Sequence, residues 1–222
     1  MAVEVKTIDY TFKNGLPGYK EDTDDTAAII KQLPSAKHFS PWVLRMYHNT
    51  DFCGIFFKLD GQELWDAHCP CINIPWTNNA DGSVSVSITY VKGEDFLYIK
   101  GEGDINTERA FPGIIADMSD GTEIFLGNVT NTSDINFFTL NKTYGNGTTS
   151  PFAFATNAPD NYIAICPLIY KDNSIGTAGA ISKNVYFISG LGHKANGEVI
   201  KGHTYYGVSD KNHKLGFVCR VD

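Results

Sequence analysis

Six Asn-Gly or Asp-Gly pairs punctuate this chain, at Asn14-Gly15, Asp60-Gly61, Asp81-Gly82, Asp120-Gly121, Asn146-Gly147 and Asn196-Gly197, most of them beside β-branched and aromatic runs. A type I′ hairpin turn needs positive φ at both central positions, which glycine adopts freely and Asn or Asp at modest cost. The pairs therefore predict tight reversals between strands. The chain reads as all-β, an antiparallel β-sandwich or barrel-like domain with one short N-terminal helix. That helix is expected over Asp24 to Leu33. Thr23 caps it, Asp24 and Asp25 fill the first turn where the dipole favours anions, Ile29, Ile30 and Leu33 form an apolar stripe, and Pro34 stops it.

Strand patterning is clearest where Val84, Val86, Ile88 and Tyr90 alternate with Ser85, Ser87 and Thr89, the mark of a strand buried on one face. Phe96-Leu97-Tyr98-Ile99, following Lys92-Gly93, is its expected hairpin partner. Further strands are expected at residues 3–12, 42–47, 52–59, 63–65, 123–127, 135–140, 162–170, 185–188, 203–208 and 215–221. The stretch from His68 to Trp76 is interrupted by Pro70 and Pro75, which places it at a sheet edge or in a packed loop, because proline cannot donate to a ladder. The expected organisation is a β-rich N-terminal domain over 1–140, a polar loop or linker over 141–160 and a C-terminal β unit over 161–222, also readable as one continuous domain. No internal period argues for a solenoid or propeller.

At 222 residues the chain is long enough to bury roughly 70% of its unfolded surface without staples. Its net charge of −7 and its three arginines, Arg45, Arg109 and Arg220, argue against nucleic acid as a partner. The N-terminus lacks a basic region followed by an apolar one, and no run approaches the ~20 apolar residues of a membrane span, so a membrane is not an expected partner and the cytoplasm is the expected compartment. Five cysteines, at 53, 69, 71, 166 and 219, cannot all pair within the chain and are read as reduced. Asn128, Asn131, Asn141 and Asn146 open N-x-[ST] triplets, which without a leader reflect an Asn/Thr-rich region. No cofactor is expected: Gly101-Glu102-Gly103 and Gly190-Leu191-Gly192 do not stand between a strand and a capped helix, as a nucleotide-binding fingerprint requires.

Three constellations could carry chemistry. Asp117, Asp120 and Glu123 could supply the paired carboxylates of a glycosidase, but Ser119-Asp120-Gly121 reads as an ordinary turn whose neighbouring carboxylates are solvated. His68, Cys69 and Cys71, completed by Cys53 or His48, place soft ligands close together, yet the spacing fits no standard zinc site, and a Cys-His nucleophile would lack an orienting partner. Asp104, Asn106 and Glu108 alternate oxygen ligands without the spacing or glycine of a calcium loop. No catalytic or metal residue is therefore assigned.

Charged residues make up only 19% of the chain while aromatics number 28, a composition suited to protein contacts. The low-charge segments Gly127 to Ser150 and Cys69 to Trp76 are the expected contact regions, with Trp76, Phe111, Phe137, Phe138 and Tyr144 as interface aromatics. Trp76, Phe111 and Tyr144 are also candidates to stack on sugar faces.

The segment from Cys166-Pro167-Leu168-Ile169-Tyr170 through Asn184-Val185-Tyr186-Phe187-Ile188 and His203-Thr204-Tyr205-Tyr206-Gly207-Val208 to Gly216-Phe217-Val218-Cys219-Arg220-Val221-Asp222 resembles the C-terminal segment of uncharacterised virion structural proteins of tailed bacteriophages. It covers about a quarter of the chain and carries no catalytic residue. Thr23-Asp24-Asp25-Thr26-Ala27-Ala28-Ile29 is similar to the helix that precedes the β-helix of pectate-lyase-like phage tailspikes, although Lys20-Glu21-Asp22 stands where that family has a glycine. The resemblance implies a non-enzymatic component of a tail, baseplate, head–tail junction or capsid decoration, made and assembled in the host cytoplasm. Its implied partners are other virion proteins and copies of itself. A receptor- or glycan-binding β-sandwich that recognises a host surface glycan, and a carbohydrate-active enzyme, are the alternatives.

Overall fold

A computed structural model describes residues 3–17, 23–47, 52–61, 70–102, 113–129, 135–139, 142–145, 164–169, 181–189, 194–200, 202–209 and 215–222. In chain order the elements are β1 (Glu4–Phe12), α1 (Asp24–Ile30), β2 (Phe39–Tyr47), β3 (Phe52–Leu59), β4 (Pro70–Ile74), β5 (Thr77–Asn78), β6 (Val84–Lys92), β7 (Phe96–Glu102), β8 (Gly113–Asp117), β9 (Glu123–Val129), β10 (Ile135–Thr139), β11 (Lys142–Gly145), β12 (Ala164–Ile169), β13 (Ile181–Ser189), β14 (Lys194–Ile200), β15 (His203–Ser209) and β16 (Leu215–Arg220). The fold is all-β with antiparallel sheets, and one short helix stands among the described residues, as the turn pairs and alternation predict.

The first sheet runs β1-β6-β7-β8-β9-β4-β3-β2, with β5 on β6 and the β10–β11 pair on β9. It forks at β9. Leu126 faces Ile114 of β8 and Phe137 of β10, whereas Asn128 faces Cys71 of β4 and Ile135 of β10. Because each backbone edge serves one neighbour at a time, β8 and β4 occupy the same edge of β9 in succession. From the fork, β4, β3 and β2 fold over β8, β7, β6 and β1. Between these layers lies a core of Ile8, Phe12, Phe39, Leu44, Ile55, Phe57, Ile72, Ile74, Ile88, Leu97, Ile99, Ile115 and Phe125, joined by Ile29 and Leu33 of the helical segment. The helix is capped as expected, with Thr23 Oγ1 accepting from the Thr26 amide and Thr26 Oγ1 accepting from the Thr23 amide.

The second sheet, β12-β13-β16-β15-β14, covers the opposite face of the same hairpins. Phe96, Tyr98, Ile114, Ala116, Ile124 and Leu126 form one buried cluster with Val185 and Cys219 of that sheet. Along β7, β8 and β9, successive residues therefore enter two different cores. That is why these strands read as continuous apolar runs, while β6, half open to solvent, alternates with Ser and Thr.

The turn pairs resolve into several geometries. Asp60 and Gly61 both have positive φ, 47° and 80°, as a type I′ turn requires. At Asp81-Gly82 and Asp120-Gly121 only the glycine is left-handed, at 84°. Gly82 N donates to Asn79 O and Asn79 N to Ser83 O, and Gly121 N to Met118 O and Met118 N to Thr122 O, so both are three-residue loops made of a type I turn and a glycine bulge. Gly15 follows β1 but leads to the helix, so its pair closes no hairpin. Asn196-Gly197 lies inside β14 at a register shift, and the reversal falls at Gly202, between the paired Ile200 and His203. Asn146-Gly147 and the expected strand at 63–65 lie outside the described residues.

The expectation for the proline-bounded stretch is corrected. Pro70–Ile74 is an interior strand between β3 and β9, and Cys71, Ile72 and Ile74 are buried, so it is core and not a contact surface. Pro70 is tolerated as the strand's first residue, while Pro41 and Pro167 fall on the terminal strands β2 and β12 beside bulges.

The overlap of β4 on β7 and β8 depends on two glycines without side chains. A Cβ on Gly113 would lie 2.3 Å from Ile72 side-chain atoms, and one on Gly101 would lie 2.5 Å from Pro75 Cδ and 3.0 Å from Ile74 Cα. Backbone cannot swing aside as a side chain can. Gly101→Ala is expected to destabilise the protein by about 1–3 kcal/mol, the usual cost of overpacking, read as a fall in the urea midpoint with an unchanged slope.

Candidate functional site

The acidic hairpin singled out in the sequence is bonded to both neighbouring layers of the described structure. Asp117 ends β8 and Glu123 begins β9 as direct cross-strand partners, with Asp120 in the turn between them. Glu123 is only 3% exposed, which corrects the expectation that it is solvated. Its Oε1 accepts from Lys37 N at 2.8 Å, and Oε2 accepts from His38 N at 2.7 Å and Phe39 N at 3.3 Å. One carboxylate thus satisfies three consecutive amides where the chain enters β2. Two residues along β9, Phe125 packs against Phe39 and Phe57 with ring centroids 5.5 and 5.0 Å apart.

The same hairpin also holds the second sheet. Asp117 N donates to Asp95 O at 2.8 Å, Asn184 Nδ2 of β13 lies 2.9 Å from both oxygens of the Asp95 carboxylate, and Met118 pairs with Ser182. His38 is fixed in turn, its Nδ1 3.0 Å from Asp60 Oδ1 and its carbonyl accepting from Asp60 N at 2.8 Å. Burial pushes the Glu123 carboxyl above its ordinary value, opposed mainly by the His38 and Lys37 amides. Burial likewise raises Asp117, opposed by Lys37 and reinforced by Asp95.

This geometry does not make an acid/base pair. A glycosidase needs both carboxyls to face one sugar bond, but Glu123 is enclosed with both oxygens on main-chain amides. Asp120 is exposed and accepts from Thr122 N at 2.9 Å, an ordinary turn contact. The three carboxylates stiffen a hairpin and do not converge on a cleft.

Of the thiol cluster only Cys53 and Cys71 fall among the described residues, and they point apart. Cys53 lies opposite Ile74, and Cys71 lies opposite Phe56, three residues from Cys53 on the same strand. An odd separation puts the two thiols on opposite faces, Cys53 in the main core and Cys71 in a satellite cluster with Val43 and Phe56, so they cannot share a metal. Among the described residues no group of three or more His, Cys, Asp or Glu is arranged to hold a metal ion. Cys53, Cys71 and Cys219 are buried, and burial pushes the Cys53 thiol up to about 12, far from a reactive thiolate. His48, His68, Cys69, Asp104, Asn106, Glu108 and Gly190 to Gly192 lie outside the described residues.

Of the expected interface aromatics, Trp76 is half-buried and packed against the main core, so it is not an exposed stacking platform. Phe137 and Phe138 lie on β10 and Tyr144 on β11, and Phe111 lies outside the described residues. A second carboxylate clamp went unread in the sequence. Asp222 Oδ1 accepts from Arg220 Nε at 2.8 Å and lies 3.2 Å from His203 Nδ1, and Oδ2 accepts from Thr204 N at 2.9 Å. No sequence signal marked it, because its partners come from two strands whose pairing is visible only in the fold. Glu123 did leave a signal, a lone carboxylate opening the apolar run Ile124-Phe125-Leu126.

No protein-family model matches the chain, and neither a curated protein nor a solved structure is detectably similar to it.

Removing the Glu123 carboxylate strands main-chain donors, each costing about 1–3 kcal/mol when left buried and unsatisfied. Glu123→Ala is therefore expected to lose on the order of 3 kcal/mol in urea unfolding and Glu123→Gln less, since the amide keeps one acceptor oxygen.

The clamps titrate with opposite signs. Hydrogen bonds from Arg220 and the Thr204 amide hold Asp222 at about 2, below its ordinary 3.8, so its stabilisation is complete above 3.8 and is lost as the pH falls through about 2. The raised carboxyls of Asp117 and Glu123 contribute stability that is present at low pH and lost as the pH rises through their folded-state values. Asp222→Asn is expected to flatten the decline in urea midpoint over that acid window and to leave the Asp117 and Glu123 contribution in place, measured as midpoint against pH for both proteins.

Proposed function

We propose that this chain is a non-enzymatic structural component of a tailed-bacteriophage virion, acting through contacts with copies of itself and with other virion proteins. The observation that carries the reading is the use of Glu123. Of the acidic hairpin considered for catalysis, Glu123 gives both carboxylate oxygens to three main-chain amides that join the layers, which favours a scaffold over an enzyme built on Asp117, Asp120 and Glu123. The segment that resembles virion proteins supports it further, because its described strands make up the second sheet, which shares a core with the first.

The same architecture suits assembly. Covering the central hairpins on both sides leaves strand edges and outer faces for partners, and permanent interfaces between virion subunits bury on the order of 2,000 Å² or more. Mass spectrometry of virions purified from the source phage is expected to find this chain in a fixed number of copies per particle. Its absence from particles, with the isolated chain a monomer that binds no virion protein, would overturn the proposal.

A further inference from the structure

On the outer face of β1 and β6, beside β5, lies an open groove of about 350 Å³ lined by Asp9, Tyr10, Thr11, Thr77, Ser85 and Ser87. Its size falls at the small end of the range for small-molecule sites. The lining follows from register: Thr11 and Thr77 both pair with Ser85, and Asp9 pairs with Ser87. The hydroxyls are already ordered. Ser87 Oγ donates to Asp9 Oδ1 at 2.6 Å, Thr11 Oγ1 lies 3.0 Å from Ser85 Oγ, and Asn79 Nδ2 donates to Ser85 Oγ at 2.9 Å.

We propose that this groove binds a neutral hexose residue of a glycan. Ser85 accepts from Asn79, and Thr11 and Ser85 share a single hydrogen bond, so one of their two hydroxyl hydrogens stays available to donate outward. Beside it, the Asp9 carboxylate is an acceptor with lone pairs beyond the one that Ser87 uses. A donor next to a two-oxygen acceptor matches the adjacent hydroxyls of a pyranose, each of which both donates and accepts. The floor of the groove is the β1–β6 ladder itself, because Tyr10 and Val86 turn their side chains to the opposite face, toward the core.

The lining excludes other ligand classes. Asp9 is its only charged residue, so a phosphate or uronic acid meets repulsion and no cation. A metal ion finds one carboxylate where calcium takes 6–8 oxygen ligands. The site is also distinct from stacking on Trp76, which is packed against the core.

The test titrates the full chain with the methyl glycosides of glucose, galactose, mannose and N-acetylglucosamine, and with glucuronic acid and inorganic phosphate, followed by saturation-transfer NMR and calorimetry. At least one neutral glycoside is expected to bind in the millimolar range, and glucuronic acid and phosphate are not. Asp9→Asn and Thr11→Val are each expected to weaken binding about tenfold, with melting curves unchanged because both side chains are exposed, while Trp76→Phe retains it. Ser87→Ala, which frees Asp9 from its partner, serves as a second variant should either of the others lose its fold. Failure of all four glycosides to bind, equal binding of glucuronic acid, or full affinity in the folded Asp9 and Thr11 variants would overturn the assignment. Presence in virions is measured separately, so the sugar site and the structural role can fail independently.

Discussion

The constraint on which the architecture depends is that β7, β8 and β9 are buried on both faces. A strand in that position is apolar wherever both faces are covered, and its two sets of side chains must enter different cores. Leu97, Ile99, Ile115 and Phe125 fill one core, and Phe96, Tyr98, Ile114, Ile124 and Leu126 the other. A one-residue slip in register would exchange the sets and misfit both. The central hairpins therefore fix the position of everything packed against them.

Apolar burial sets how stable this arrangement is, and polar anchors set which arrangement it is. Fully burying a Phe or Ile contributes about 1.5–3 kcal/mol, and such residues line both cores. Hydrogen bonds to a charged acceptor are worth a similar amount individually but are few. Their value lies in direction. Glu123 accepts only where three consecutive amides converge, and Asp95 only where Asn184 presents its amide, so each excludes registers that apolar packing alone would tolerate. Glu123 opens β9 and Asp95 lies in the β6–β7 turn, its carbonyl accepting from Asp117 N at the end of β8, so both anchors sit at one end of the central hairpins.

The sequence made local structure legible and left its assembly largely hidden. The helix and its cap, the β6–β7 hairpin and the all-β class follow from alternation, capping chemistry and turn residues, all of them short-range. The Asp-Gly pairs were read as one turn type, yet at Asp81 and Asp120 the aspartate keeps negative φ and bonds the amide two residues on, so only the glycine needed freedom. The Pro70–Ile74 stretch was misplaced because proline rules forbid a strand interior but allow its first residue, and nothing local tells the two apart. Within the acidic hairpin the sequence found the right residues and the wrong environment. Burial of Glu123 depends on residues 37–39, which are 84 or more positions away.

β6 shows how the fold separates interior from usable surface along a single strand face. Val91 is covered by the second sheet and belongs to its core, whereas Thr89, Ser87 and Ser85, stepping along the same face, carry hydroxyls that bond to Thr7, Asp9 and Thr11 of β1. The change from methyl to hydroxyl marks where the second sheet ends. Had these positions been apolar, the exposed face would have invited further sheet stacking. Their hydroxyls instead bond in cross-strand pairs, which satisfies part of their capacity and leaves the rest for water or a ligand. Among the described residues the buried Glu123 carboxylate is taken up by amides and the Cys53, Cys71 and Cys219 thiols by packing, which leaves this polar face as a surface able to direct chemistry outward.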